Sequence, residues 1–181
     1  MNLQDNRTDN TIANRLTLVL FVIYLLALFW ILVLKLGVRF SYMENRSVNL
    51  IPFHEPLILN GKVDFSEMIL NVLIFIPLGI YAGILFKRWP FWKQLFFFFL
   101  VSLTFEGLQY ILKVGAFDVT DLITNTVGGV VGLLILRAIE AIFKSSVKAQ
   151  KFVNIVAATG TVLMIVLLSL LKMDMLPIRY Q

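Results

Sequence analysis

The sequence predicts an all-α fold: a polytopic membrane helix bundle of about five transmembrane helices, with a re-entrant or interfacial loop at 40–65. Three observations carry this. Hydrophobic residues make up 59% of the 181 and charged residues only 15%, and a mean hydropathy of +0.87 exceeds what a soluble domain needs. The apolar residues gather into separate runs of about 20, the length that takes a helix across a hydrocarbon core of about 30 Å. The net charge is +5, but the basic residues sit at the ends of those runs rather than on one face, as topology signals do and nucleic-acid contacts do not. The absence of cysteine excludes thiol redox chemistry, disulfides and thiolate metal sites, and leaves the compartment open.

The first span is 16–36 (LTLVLFVIYLLALFWILVLKL). Its apolar core is longer than the roughly 7–15 residues of a signal-peptide core and no A-x-A site follows it, so it is an uncleaved span. In the loop after it, NLIPFHEP (49–56) places Pro52, Pro56 and the chain's single histidine, His54, among apolar residues. Each proline biases its predecessor away from helix. Leu50, Ile51 and Phe53 favour folding this extended segment back as a lid at the interface.

The second span, 66–86, contains Pro77, which bends a helix and frees a carbonyl near residue 73. The third, 94–113, begins with Phe96–Phe99, a run suited to lipid contact. The fourth, 121–140, is polar at its start, and the fifth is 152–171. Gly79 with Gly83, and Gly128 with Gly132, set small residues four apart on the second and fourth helices, the spacing that lets membrane helices approach closely.

Lys87, Arg88 and Lys93 lie between spans two and three; Arg137, Lys144, Lys148 and Lys151 lie around the connection of spans four and five. By the positive-inside rule these two connections are cytoplasmic, with the N-terminus inside and the C-terminus outside. Loop 37–65, which carries Arg39, Arg46 and Lys62, argues the other way. The chain reads as a single membrane domain, 1–181, with 141–181 forming a cytoplasmic loop plus an additional C-terminal helix.

The alternation of spans brings loop 37–65, the start of helix two, the end of helix three, loop 114–120 and the start of helix four to one face. Glu67 and Asn71 share a face of helix two; Glu106, Gln109, Tyr110 and Lys113 form a stripe on helix three; Asp121, Asn125 and Gly129 form one on helix four. Charges at membrane depth are costly and normally turn inward to partners or water. Glu106 suits a general acid or base, against a plain pairing with Lys113 or Tyr110. Asp118 and Asp121 could hold a divalent cation through oxygen, against Asp121 simply capping helix four. His54 could carry a proton or ligate metal, against being a polar loop residue. Asn71 and Asn125 could orient a headgroup, or bond between helices.

NLIPF at 49–53, an Asn followed by FIPLG at 71–79, E-x-x-Q at 106–109 and D-x-x-D-x-x-x-N-x-x-G at 118–128 resemble, in that order and spacing, the VanZ-like family over roughly 20–140. The resemblance implies a small bacterial integral membrane protein of the plasma membrane. It also implies a link to resistance to teicoplanin, a glycopeptide that binds cell-wall precursors. Ligand-binding candidates are Asn49, Pro52, Phe53, His54, Asn71, Glu106, Gln109, Asp118, Asp121 and Asn125. They would form an outward pocket for a cell-envelope amphiphile: a lipid-linked precursor, or a glycopeptide or lipopeptide antibiotic. The alternative is a metal-dependent enzyme acting on a lipid headgroup or phosphate, with Glu106 and Asp121 catalytic and Asp118 and Asp121 on the metal. Against it, no H-E-x-x-H, G-x-S-x-G or multi-histidine set occurs. A transporter is disfavoured by the lack of an inverted repeat.

Overall fold

Apolar runs of spanning length become helices because backbone polar groups in lipid must be satisfied within their own segment. The computed structural model describes residues 3–33, 47–53, 57–59 and 62–172. It contains α1 (Leu3–Leu32), α2 (Ser66–Leu85), α3 (Phe91–Ile111), α4 (Val119–Phe143) and α5 (Ser146–Lys172), all five long and apolar enough to cross a membrane. The spans are where they were expected, with shifted ends. The helix of α1 begins well before its membrane-length portion, Ile12–Leu32. Likewise α5 starts at Ser146 rather than 152, so only Lys144 and Ser145 join it to α4, and Lys144 ends α4 at a φ of 47°.

The expected loop at 40–65 proves to have local order. Val48–Asn49 (β1) runs parallel to Phe117–Asp118 (β4). Leu57–Leu59 (β2) pairs antiparallel with Lys62–Asp64 (β3), a hairpin not anticipated from the pattern. Between those strands the sequence has Asn60-Gly61, the dipeptide that most favours a two-residue hairpin turn.

The most extensive helix contact is between α2 and α4, followed by α3 with α4. Its cause is glycine. A methyl group on Gly79 would collide with the Gly129 carbonyl, one on Gly128 with the Val72 carbonyl, and one on Gly132 with the Ile76 carbonyl. The two backbones therefore touch, as small residues permit in lipid. Gly129 faces α3 instead, where a Cβ would stand 2.5 Å from the ring of Phe98. This corrects the reading of Phe96–Phe99 as a lipid-facing run. Phe96 and Phe99 are exposed but Phe98 is fully buried, because the 3.6-residue period turns one of four consecutive side chains inward.

Helix α1 docks on two neighbours by polar contacts inside an apolar surround. The Tyr24 hydroxyl donates to the Ile74 carbonyl at 2.9 Å, one residue from the carbonyl that Pro77 leaves without its helical donor. Phe21, Tyr24 and Tyr81 cluster there with ring centroids 5.5 to 6.5 Å apart. At the other end, the Thr17 hydroxyl donates to Asn154 Oδ1 and accepts from Gln150 Nε2, both at 2.9 Å, while Asn154 Nδ2 donates to the Ala13 carbonyl at 3.1 Å. Thr17 and Asn154 are buried, so α5 is fastened to α1 by amide and hydroxyl groups.

The glycine contact makes a sharp prediction. Gly79→Ala should lower stability by about 1–3 kcal/mol, the usual cost of forcing atoms into a packed core. Gly160→Ala, with nothing within 4 Å of its added methyl, should be neutral or stabilising by up to about 1 kcal/mol through helix propensity. Thermal unfolding in detergent measures both; equal destabilisation would refute the contact.

Candidate functional site

Asp118 is where the site is assembled. It precedes α4 with φ −122° and ψ 123°, and its Oδ1 accepts from the Thr120 amide at 2.6 Å. This is the N-cap geometry, in which a short acceptor side chain satisfies one of the helix's free amides. The cap is thus Asp118 and not Asp121, because α4 starts earlier than the apolar pattern indicated. The other oxygen, Oδ2, accepts from Asn49 Nδ2 at 3.1 Å. Asp118's own amide donates to Glu106 Oε2 at 3.2 Å. One residue therefore ties the loop strand, the end of α3 and the start of α4 together.

The loop is held at further points. The Phe117 amide donates to the Ser47 carbonyl, and the Phe53 amide to Thr120 Oγ1, each at 3.1 Å. Phe53 adopts a φ of 58°, and Leu50, Ile51 and Phe53 all leave their side chains exposed. Segment 47–53 is thus strapped to the rim by its backbone and Asn49 while its apolar side chains face outward. His54 lies outside the described residues.

The other candidates divide into pairs. Asn71, on α2, donates from Nδ2 to Asp121 Oδ1 at 2.7 Å. One turn further along α4, Asn125 donates from Nδ2 to Ser102 Oγ of α3 at 3.0 Å, and its Oδ1 is buried without a hydrogen-bond partner. Glu106 is only 3% exposed and lies near enough to Asp118, Asp121 and Glu67 for their charges to interact. Its anticipated pairing with Lys113 is not formed: among the described residues the ion pair is Lys87 with Glu140, 3.2 Å apart at the opposite end. Gln109 is used structurally, its Nε2 donating to the Leu32 carbonyl at the end of α1 at 3.0 Å. Pro52 sits exposed in the turn before Phe53.

Two partners went unnoticed in the sequence. Ser102 lies four residues before Glu106, on the same face, and Thr120 lies two after Asp118, where a capping carboxylate finds its amide. A metal ion fits this set poorly. Both oxygens of Asp118 already accept hydrogen bonds, and among the described residues no three of His, Cys, Asp and Glu are grouped to hold an ion.

The family model for VanZ/LLP1 matches residues 21–144, which takes in α2 to α4 and every described site residue. The chain belongs to the VanZ/LLP1 family. It is 37% identical over 153 residues to Protein VanZ of Enterococcus faecium, covering 82% of this chain and 88% of that protein. No solved structure matches it. Helix α5 lies beyond the matched residues. Its five apolar helices and its membership of the VanZ/LLP1 family make it a multi-pass membrane protein.

The hydrogen bonds around Asp118 separate two roles. Asp118→Ala should lose about 0.5–2 kcal/mol with the cap, whereas Asp118→Asn keeps an acceptor and should lose less. A double-mutant cycle on Asn71 and Asp121 should give a coupling near 0.6 kcal/mol, reaching about 1.7. Reversible unfolding in bicelles measures both, and zero coupling would remove the α2–α4 bond from the site.

Proposed function

We propose that this VanZ-family protein holds the polar head of a cell-envelope amphiphile at the rim built by Asn49, Asn71, Glu106, Asp118, Asp121 and Asn125. The amphiphile is a lipid-linked wall precursor, or a glycopeptide or lipopeptide antibiotic, and holding it contributes to glycopeptide resistance of the teicoplanin type. The observation that carries this reading is the convergence of three acidic side chains and three amides from α2, α3, α4 and the 47–53 segment at one end of the bundle. Exposed Leu50, Ile51 and Phe53 beside them supply an apolar flank. Sites for small molecules combine such a flank with a few placed polar groups. The orphaned oxygen of buried Asn125 adds an acceptor that a ligand hydroxyl or amine would satisfy.

The rim faces outward in this reading, because Lys87, Arg88, Lys93, Arg137, Lys144, Lys148 and Lys151 cluster towards the other end. The native chain has no cysteine, so Phe117→Cys should label with a membrane-impermeant maleimide on intact cells. Protection until the cells are opened would reverse the topology.

Ligand retention tests the pocket. Wild-type protein purified in native lipid should carry a co-purifying amphiphile by native mass spectrometry, and Asp121→Ala should lose most of it. The same preparation distinguishes the enzymatic alternative. A metal-dependent conversion of lipid extract that Glu106→Gln abolishes would replace binding with catalysis, while unchanged retention in Asp121→Ala would remove the site altogether.

A further inference from the structure

The end of the molecule opposite the rim carries a feature that the amphiphile site does not use. The connection 86–90 and the first turns of α3 place three aromatic side chains, Trp92, Phe96 and Phe99, at i, i+4 and i+7 along one stripe, all exposed. They line an open recess of about 510 Å³ whose far wall is Thr126 of α4. A second recess of about 300 Å³ adjoins it, sharing Trp92 and Phe96 and adding Trp89, Phe97, Leu100 and Lys93. The shared rings of Trp92 and Phe96 stand between them, so the two make one aromatic face of α3, grooved on either side. From Trp92 to Leu100 it runs eight residues, about 12 Å along a helix at about 1.5 Å per residue. That is close to the depth of one leaflet, half of a hydrocarbon core of about 30 Å.

The mouth of the groove is basic. Lys93 lines the second recess and holds its Nζ 5.4 Å from the centroid of the Trp92 ring. Arg88, in the same connection, is exposed. The stretch KRWPFWK (87–93) has three cations and no acid, and Lys87 is already taken by Glu140 of α4 at 3.2 Å. Lys93 thus lines an otherwise apolar groove, and Arg88 is exposed in the connection that leads into α3. That combination complements a negatively charged head on a hydrocarbon chain. A zwitterionic lipid would bring an ammonium group to the same cations.

We propose that this groove is a binding site for one anionic glycerophospholipid of the adjoining leaflet, with its phosphate at Arg88 and Lys93 and an acyl chain along Trp92, Phe96 and Phe99. The site is separate from the carboxylate rim and serves to fix the depth and rotation of α3, whose other end presents Glu106. The aromatic rings supply contact for the chain, and Lys93 is oriented for the phosphate by its stacking on Trp92.

The protein carries its own probes for this. Its tryptophans are Trp30, Trp89 and Trp92, so Trp30→Phe leaves emission from the groove alone. In nanodiscs, quenching of that variant by phosphatidylglycerol with dibrominated chains should exceed quenching by dibrominated phosphatidylcholine. The preference should be roughly fivefold or more in lipid exchange, since each cation near an anionic surface contributes about that factor. Adding Arg88→Gln and Lys93→Gln, both on the surface, should bring the two lipids to parity with the helical signal unchanged. Equal quenching in the Trp30→Phe protein would overturn the proposal, as would a preference that survives loss of both cations. A quenching preference for free anionic detergent over the phospholipid would also overturn it, because it would show attraction of charge without a seat for two-chain lipid.

Discussion

Backbone contact between α2 and α4 is the constraint on which the rest of this molecule depends. Asn and Asp have short side chains, and the 2.7 Å bond from Asn71 to Asp121 forms directly only because the two helices already touch. Gly79, Gly128 and Gly132 provide that approach a few turns deeper, where a methyl on any of them would enter a neighbouring carbonyl. In lipid there is no hydrophobic force between helices to compensate for a poor fit. Close packing must therefore come from shape, and the polar rim inherits its spacing from that shape.

Helix α4 then distributes contacts around itself by register. Its cap, Asp118, reaches the loop strand and receives Glu106 on its amide; Asp121 faces α2; Asn125 faces α3. Gly129, one turn below Asn125, accepts the Phe98 ring and brings α3 near enough for Ser102 to meet that amide. Polar groups are expensive at this depth unless partnered, and all but Asn125 Oδ1 among the described buried side chains are. The polarity of the rim is thus gathered on one helix that contacts both α2 and α3.

How much of this the sequence disclosed follows from the range of each interaction. Helix existence was legible because run length answers to bilayer thickness alone; the glycine pairs marked helices two and four as able to pack closely, but four-residue spacing is common in apolar helices and did not say that they would pack on each other. Of the site, the convergence of Asn49, Asn71, Glu106, Asp118, Asp121 and Asn125 followed from topology. The division of labour did not. Asp118 rather than Asp121 caps α4 because the helix begins inside a stretch whose apolar pattern had not yet started, and Gln109 turned to the Leu32 carbonyl because of where α1 ends. Thr17, Gln150 and Asn154 were ordinary polar residues until the fold set α5 beside α1. Long-range partners of this kind have no local signature.

The hydrogen-bond inventory of the rim also restricts what can occupy it in the proposed role. Ionised carboxylates accept only, and the amides of Thr120 and Asp118 with one N–H each of the Asn49 and Asn71 side chains are engaged by Asp118, Glu106 and Asp121. What is left over at this end is mostly acceptor capacity, including the buried oxygen of Asn125. A head that fits must bring donors, such as the hydroxyls of a sugar or an amine. A bare phosphate would meet several negative groups close together and few free donors. A lipid-linked precursor would therefore be held through its sugar or peptide, and a lipoglycopeptide through its amino-sugar, rather than through a phosphate, and the apolar side chains of Leu50, Ile51 and Phe53 would lie against the hydrocarbon that follows.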